Sequence, residues 1–168
     1  MIKTLEPMVK ELHEEAATTR RVLERVPADK LSWRPHPKSM ALGQLAIHIA
    51  NIPANATRIT LMDEFDVSQA NFEPPIPKSR EEILSTFEQA LRTAEEALNG
   101  VTEDRANGSW RIVAKGKELF SRPRLSALRT IMLNHWYHHR GQLSVYLRLL
   151  DVPVPVIYGR SADESPFA

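Results

Sequence analysis

The 168-residue sequence contains no cysteine. Disulfide bonds, a thiolate nucleophile and thiolate metal ligands are therefore excluded for this chain. It follows that any bound metal ion has to be held by nitrogen and oxygen atoms.

The chain also lacks an excess of either charge, since 22 lysines and arginines stand against 21 aspartates and glutamates, for a formal net charge of +1. Such a balance creates no field able to gather nucleic-acid phosphates or an anionic membrane surface. No apolar run has the length of a transmembrane helix, and the first residues, Met1-Ile2-Lys3-Thr4-Leu5-Glu6, do not resemble a secretory signal. We therefore expect a cytoplasmic protein that binds neither nucleic acid nor membrane.

The composition that remains is that of a folded domain. Hydrophobic residues make up 42% of the chain and charged residues 26%, which are ordinary values for globular proteins. A chain of 168 residues is long enough to bury one hydrophobic core. We therefore expect residues 1–168 to form a single domain.

Four segments show the three- and four-residue spacing of apolar residues that is typical of amphipathic helices. Pro27 ends the first segment, and Pro53 is expected to kink the second without ending it. Ser39 is the expected cap of the second helix, and Ser79 with Glu82 forms a capping box for the third. The predicted helices span residues 5–26, 39–64, 79–99 and 124–150.

The segment between the third and fourth helices has a different pattern. Two short strand-like stretches flank a turn at Lys115-Gly116-Lys117, which predicts a small β-hairpin. The proline-rich tail after Leu150 is expected to be irregular. Because each apolar stripe must be buried against another, the sequence predicts an all-α fold, a four-helix bundle with a hairpin-like insertion before its last long helix.

Histidines occupy inward positions on two of these helices. His135 and His139 lie four residues apart on the apolar seam of the fourth helix, so both imidazoles can reach one ion. His48 lies among the apolar residues of the second helix and can supply a third imidazole. Three neutral ligands would leave a coordination position open, as in catalytic sites, and would leave the charge of the cation uncompensated. Hydroxide, a carboxylate or an external thiolate would be favoured at that position.

The alternative interpretation of these three histidines is structural. Inward histidines are often core residues whose ring nitrogens bond to a serine, a carbonyl or buried water. Helical spacing by itself is compatible with either interpretation. For the remaining histidines a surface or connector role is sufficient; these are His13, His36 and His138.

Three further residues are candidates for catalysis or substrate binding. Arg140 can anchor a substrate carboxylate or pair with an acidic neighbour, and Gln142 can orient a ligand or a bound water. Tyr158 can hold a second substrate if the tail folds over the site. Gly141 costs a helix about 1 kcal/mol relative to alanine, so we expect another group to approach it closely, unless it is a tolerated weak position.

These motifs resemble those of the DinB-like proteins, a large set of bacterial four-helix-bundle metalloproteins. The resemblance spans essentially the whole chain, including the connector Leu31-Ser32-Trp33-Arg34-Pro35. It rests mainly on Leu45-Ala46-Ile47-His48-Ile49-Ala50, on His135-Trp136-Tyr137-His138-His139-Arg140-Gly141-Gln142, and on the tail from Val152 to Glu164.

The resemblance implies one divalent ion, nickel, zinc or iron, held by His48, His135 and His139. It also implies homodimers formed through helix packing. Relatives in the wider superfamily are thiol-dependent S-transferases or isomerases. A low-molecular-weight thiol is therefore an expected cosubstrate, beside a small-molecule substrate.

Three hypotheses about function follow from these observations. The first is a metal-dependent enzyme that activates a thiol or water for transfer to, or hydrolysis of, a small electrophile. The second is a protein that binds a metal or a stress metabolite without turnover. The third is a helical dimer whose histidines are structural.

Overall fold

A computed structural model describes residues 1–167 and shows a mostly helical fold with a small sheet. A π-helical turn, Arg129–Asn134, joins the fifth and sixth helices into one continuous segment. The helices are α1 (Glu6–Glu24), α2 (Leu42–Leu61), α3 (Arg80–Asn99), α4 (Glu103–Asn107), α5 (Arg124–Leu128) and α6 (His135–Leu149). The strands are β1 (Glu64–Asp66), β2 (Ser109–Ala114) and β3 (Lys117–Pro123).

The long helices bury their apolar faces against one another. Helix α2 packs against α3 and α6, and α1 packs against the same two helices. The core between them includes Leu45, Phe87 and Trp136. The indole nitrogen of Trp136 donates to the Ile49 carbonyl at 3.0 Å, which satisfies the only polar atom of this side chain. The contact fixes α6 against α2, the two helices that carry the candidate histidines.

Helix α2 begins later than the sequence predicts. Ser39 is not its cap, because the helix starts at Leu42 and the residue before it is Ala41. The side chain of Gln44 turns back and accepts a hydrogen bond from the Ala41 amide at 3.0 Å. Pro53 lies inside the helix and does not end it, as predicted.

Helix α2 also ends earlier than predicted, and the chain enters a sheet. The three strands are ordered β1-β2-β3, with β1 parallel to β2 and β2 antiparallel to β3. The β2–β3 hairpin agrees with the prediction, whereas no strand is predicted at β1, which begins at Glu64, the predicted end of the second helix. The expectation of an all-α fold is therefore wrong at this point, because three residues are too few to show strand alternation and β1 is stabilised by pairing with the distant Arg111 to Val113 segment.

The fourth predicted helix contains an irregularity that the apolar spacing does not reveal. Between α5 and α6 the backbone follows a π-helical turn, and the amide of His135 bonds to the carbonyls of Thr130 and Met132 rather than to Ile131. Single π turns are rare and occur often at functional sites. Here the turn leads directly into the first histidine of α6.

The third helix and the tail agree closely with the predictions. The hydroxyl of Ser79 accepts from the Glu82 amide at 3.2 Å, although the Glu82 carboxylate accepts from Lys78 instead of closing the box on Ser79. Beyond Asp151 the described tail has no helix or strand. It is held by Asp163, which accepts from the Val154 amide at 2.9 Å. None of the helices described is long and apolar enough to cross a membrane.

Candidate metal centre

The packing of α2 against α6 brings His48, His135 and His139 together. The Nε2 atoms of His48 and His135 are 3.4 Å apart, and those of His135 and His139 are 2.8 Å apart. One ligand atom from each ring lies within 4.8 Å of the other two. His139 is 9% exposed, while His48 and His135 are half-buried. The three rings therefore converge at the rim of the core, where solvent can still reach them.

These separations can be compared with those that a metal ion requires. A bond of 2.0–2.1 Å from imidazole nitrogen to a divalent ion implies ligand atoms about 3 Å apart at a right angle and about 3.4 Å apart at the tetrahedral angle. The observed 2.8 and 3.4 Å lie close to these values. Small movements of the side chains would suffice to place one ion between the three nitrogens.

Gln142 determines which nitrogen of His139 carries the proton. Its Oε1 atom lies 2.7 Å from Nδ1 of His139, and an amide oxygen can only accept. The proton of the neutral His139 ring therefore sits on Nδ1. Its Nε2 atom presents a lone pair toward the other two rings.

His135 stands between the other two rings. Its Nε2 atom is 2.8 Å from Nε2 of His139, which carries no proton, and 3.4 Å from Nε2 of His48. At 2.8 Å, either a proton of the His135 ring or a cation has to lie between the Nε2 atoms of His135 and His139. The donor set therefore fits a divalent cation.

All three rings are neutral at neutral pH. Burial lowers the pKa of His48 to about 4, and repulsion from the other two rings adds to the shift. Burial likewise lowers the pKa of His139 to about 4, although the hydrogen bond to Gln142 opposes this. Burial lowers the pKa of His135, and its bond to the Ile131 backbone opposes the change. The charges that shift these pKa values belong to other histidines and not to carboxylates.

The metal-free protein is expected to lose stability as the pH falls from about 6.5 to about 4. In this window the unfolded chain protonates its histidines, whereas the folded chain keeps His48 and His139 neutral. The free energy of unfolding should therefore fall by up to about 1.4 kcal/mol per pH unit for each such histidine. Urea denaturation at a series of pH values measures the slope, which should be shallower in His139→Gln. Equal stability at pH 7 and pH 5 would contradict the expectation.

Arg140 makes its contacts with α1 and the tail, away from the histidine cluster. Its side chain is 1% exposed and pairs with the Glu15 carboxylate at 2.6 Å, and it also donates to the Thr19 hydroxyl at 3.0 Å. Tyr158 of the tail bonds to the same two charged groups. The tail thus packs beside α1 and does not fold over the histidines. Of the three candidate residues, only Gln142 contacts the histidine cluster.

Gly141 and two of the other histidines lie on the surface. The prediction that another group approaches Gly141 closely is wrong within the chain, because a Cβ atom at this position would have no neighbour within 4 Å. His138 is exposed, with its ring centroid 4.9 Å from that of His139. His13 pairs with Glu95 at 3.4 Å on the surface.

Two clefts of the described chain lie away from the histidine cluster. One lies between α2 and α3 and is lined by Asn51, Ser85 and Gln89 among others, and another lies beside the sheet at Asp63 and Trp110. Neither of these two clefts contains a histidine.

Comparison with known proteins shows similarity in sequence and in fold over almost the whole chain. YrdA of Bacillus subtilis, an uncharacterized protein, is 26% identical over 164 residues, which cover 98% of this chain and 93% of that protein. The structure of a DinB-like protein from B. subtilis, YjoA, matches with a TM-score of 0.67 and 19% identity over 92% of this chain and 100% of that one. A DinB-like protein from Bacillus cereus matches with a TM-score of 0.66 and 24% identity over 92% and 97% of the two chains.

The two structures share the overall fold of this chain. At these sequence identities the similarity concerns the fold alone. The family is shown by the sequence as a whole. The model of the DinB family matches residues 1–166, almost the full length. The chain therefore belongs to the DinB family.

Proposed function

We propose that the protein is a divalent-metal-dependent enzyme that activates a small thiol or water for attack on a small electrophile. The observation that carries the proposal is the convergence of three imidazole rings, with the Nε2 atoms of His135 and His139 2.8 Å apart and no carboxylate in the cluster. His48, His135 and His139 would hold the ion. Imidazole ligands suit nickel, zinc and iron, so the donor set is compatible with each of these.

A divalent ion at this position would lower the pKa of a thiol or a water molecule and so supply a nucleophile at neutral pH. The thiol has to come from outside, because the chain contains no cysteine. The protein contributes three ligands and leaves at least one position free for that molecule. It also leaves one side of the cluster accessible, since His48 and His135 are only half-buried.

The residues around the ligands have supporting roles in this proposal. Gln142 orients the ring of His139. Arg140 and Tyr158 tie α6 to α1 through Glu15 and do not touch the substrate. They keep the helix that carries two ligands in position against the core.

A second candidate function is the binding of a metal or a stress metabolite without turnover. The observation that favours it is the position of the clefts, neither of which includes the histidines. Binding and catalysis are distinguished by turnover, because a storage protein would take up one ion per chain and yet leave the rate of any thiol transfer unchanged.

The test of the enzymatic proposal is a screen of the metal-loaded protein with glutathione-like thiols and a small alkylating or epoxide electrophile. We expect transfer to be at least about 100-fold faster with the wild type than with His135→Ala, because loss of the ion would raise the pKa of the nucleophile by at least about two units. His13→Ala is the matched control, since His13 is an exposed histidine on α1. Catalysis at this site would be excluded if the wild type and His135→Ala reacted at equal rates with every thiol and also without a thiol.

The proposal includes a homodimer formed through α6. This helix exposes Val145 and Leu149, each 57% accessible, on the same face as Gly141. The three residues are spaced four apart, so they form one stripe, and the open space at Gly141 would admit a second helix. Sedimentation should give the mass of a dimer for the wild type and that of a monomer for Val145→Arg, whereas Leu119→Arg on β3 should remain dimeric. A monomeric wild type would exclude the dimer.

A further inference from the structure

We propose that Gln142 is a positioning residue that fixes the ring of His139 and, being uncharged, makes the centre select an anionic ligand. The inference rests on the proposed function, since it concerns an ion held by the three histidines. It adds a specificity-determining role for a residue outside the ligand set. Three features of the structure carry it.

The first feature is the geometry of the contact. Gln142 follows His139 by three residues on α6, so the two side chains lie on the same face of the helix. Oε1 of Gln142 and Nδ1 of His139 are 2.7 Å apart, a short bond for neutral groups. Metal-binding histidines generally donate their second ring N–H to such a partner, which holds the ring orientation and the tautomer. Gln142 has this relation to His139.

The second feature is the charge of the partner. In many metal sites a carboxylate accepts this hydrogen bond, which raises the basicity of the ligand and offsets the charge of the ion. Here the partner of His139 is the amide oxygen of Gln142, which is neutral. A divalent ion would therefore retain its full charge toward an incoming ligand. An anion such as a thiolate would bind more tightly than a neutral molecule.

The third feature is the pairing of the acidic residues on α1 that face α6. Glu11 accepts from Tyr137 at 2.6 Å and pairs with Arg129. Glu15 pairs with Arg140 at 2.6 Å. Each carboxylate is thus neutralised by an arginine next to the helix. These two carboxylates thus lie between α1 and α6, and among the described residues no carboxylate joins the three histidines in their cluster.

Gln142 is also placed where a ligand would arrive. Its side chain is exposed, and its Nε2 atom makes no hydrogen bond within residues 1–167. The amide thus keeps two free donors at the rim of the cluster, while its oxygen is engaged by His139. Donors at this position would favour an anion over a cation.

Two substitutions of the full-length protein separate the two parts of this role. Gln142→Met keeps the size of the side chain and removes the hydrogen bond, and Gln142→Glu keeps an acceptor and adds a charge. Cobalt(II) is the probe of metal binding, measured by competition with a chromophoric chelator. Azide is the probe of anion binding, measured by the change in the visible cobalt spectrum. Gln69→Met and Gln69→Glu are the matched controls, because Gln69 lies in the turn after β1.

For Gln142→Met we expect cobalt affinity to fall about 10- to 100-fold, with an altered cobalt spectrum. For Gln142→Glu we expect cobalt affinity at least as high as that of the wild type. Its azide affinity should be about tenfold lower than that of the wild type, because the added carboxylate offsets the charge of the ion. A residue with a merely structural role would change the unfolding midpoint and neither of these affinities. Both Gln69 variants should match the wild type.

The outcomes distinguish this inference from the proposal on which it rests. Failure of the wild type to bind cobalt in a one-to-one ratio would overturn the proposed function, and this inference with it. A wild type that binds cobalt, together with Gln142→Met of unchanged affinity and spectrum, would overturn the positioning role alone. Azide binding by Gln142→Glu as tight as that of the wild type would overturn the selection of anions.

Discussion

Replacing His135 with alanine is expected to remove stoichiometric metal binding. Four-ligand zinc sites in small proteins contribute about 10–16 kcal/mol, so one ligand corresponds to roughly 3 kcal/mol and a loss of affinity of at least about 100-fold. His135 is the central member of the cluster, because its Nε2 atom is 3.4 Å from that of His48 and 2.8 Å from that of His139. Elemental analysis of protein purified without a histidine tag measures the effect.

The same substitution should make the melting temperature independent of the metal ion. An ion present at about 1,000 times its dissociation constant stabilises a folded protein by about 4 kcal/mol, so a chelator should lower the melting temperature of the wild type. It should leave His135→Ala unchanged. His13→Ala, whose histidine is paired with Glu95 on the surface, should behave as the wild type. Retention of one ion per chain by His135→Ala would show that the cluster is not the metal site.

Replacing Arg124 with alanine should destabilise the fold by about 3–5 kcal/mol, the range for removal of one partner from a buried charged network. Arg124 is 2% exposed and donates to four backbone carbonyls, two at the end of α2 and two near the sheet. The bonds to the Arg105 and Ser109 carbonyls are both 2.9 Å long. The carbonyls of Thr60 and Met62 lie at the end of α2, shortly before β1. Without the guanidinium they would be left without their donors.

Urea denaturation of Arg124→Ala and Arg124→Lys measures this effect. Lysine should recover little of the loss, because an ammonium group is compact and cannot reproduce the planar array of five donors. Arg111→Ala is the control, since Arg111 is 51% exposed and pairs with Glu64 at the surface, where such pairs contribute at most about 1 kcal/mol. A loss below 1 kcal/mol for Arg124→Ala would show that the end of α2 is stabilised by other contacts.

The candidate site was accessible to prediction because helical spacing is a local property. Positions 135 and 139 share a face in any α-helix, so their rings meet whenever α6 forms. The contribution of His48 was less certain from spacing alone, which shows that a residue faces inward but not what it faces. The resemblance to the DinB-like proteins supplied that pairing as an expectation. The structure brings the three rings together.

The roles of the neighbouring residues were harder to predict. Arg140 could be assigned to a substrate or to an acidic partner, and the choice depended on Glu15, a residue of another helix. The π-helical turn that precedes His135 was missed altogether. The signal for such a turn is weak, since one altered hydrogen bond leaves the apolar pattern nearly intact.

The order of the residues was enough to determine three features of this protein: its mostly helical structure, the start of α3 and the position of the hairpin turn. Proline, capping serine and apolar spacing act within a few residues, and so they can be recognised along the chain. Tertiary contacts decided the end of α2, the pairing of β1 with β2 and the partners of Arg140 and Arg124. These features depend on groups that are distant in sequence, whose free energy of interaction exists only once the helices have packed.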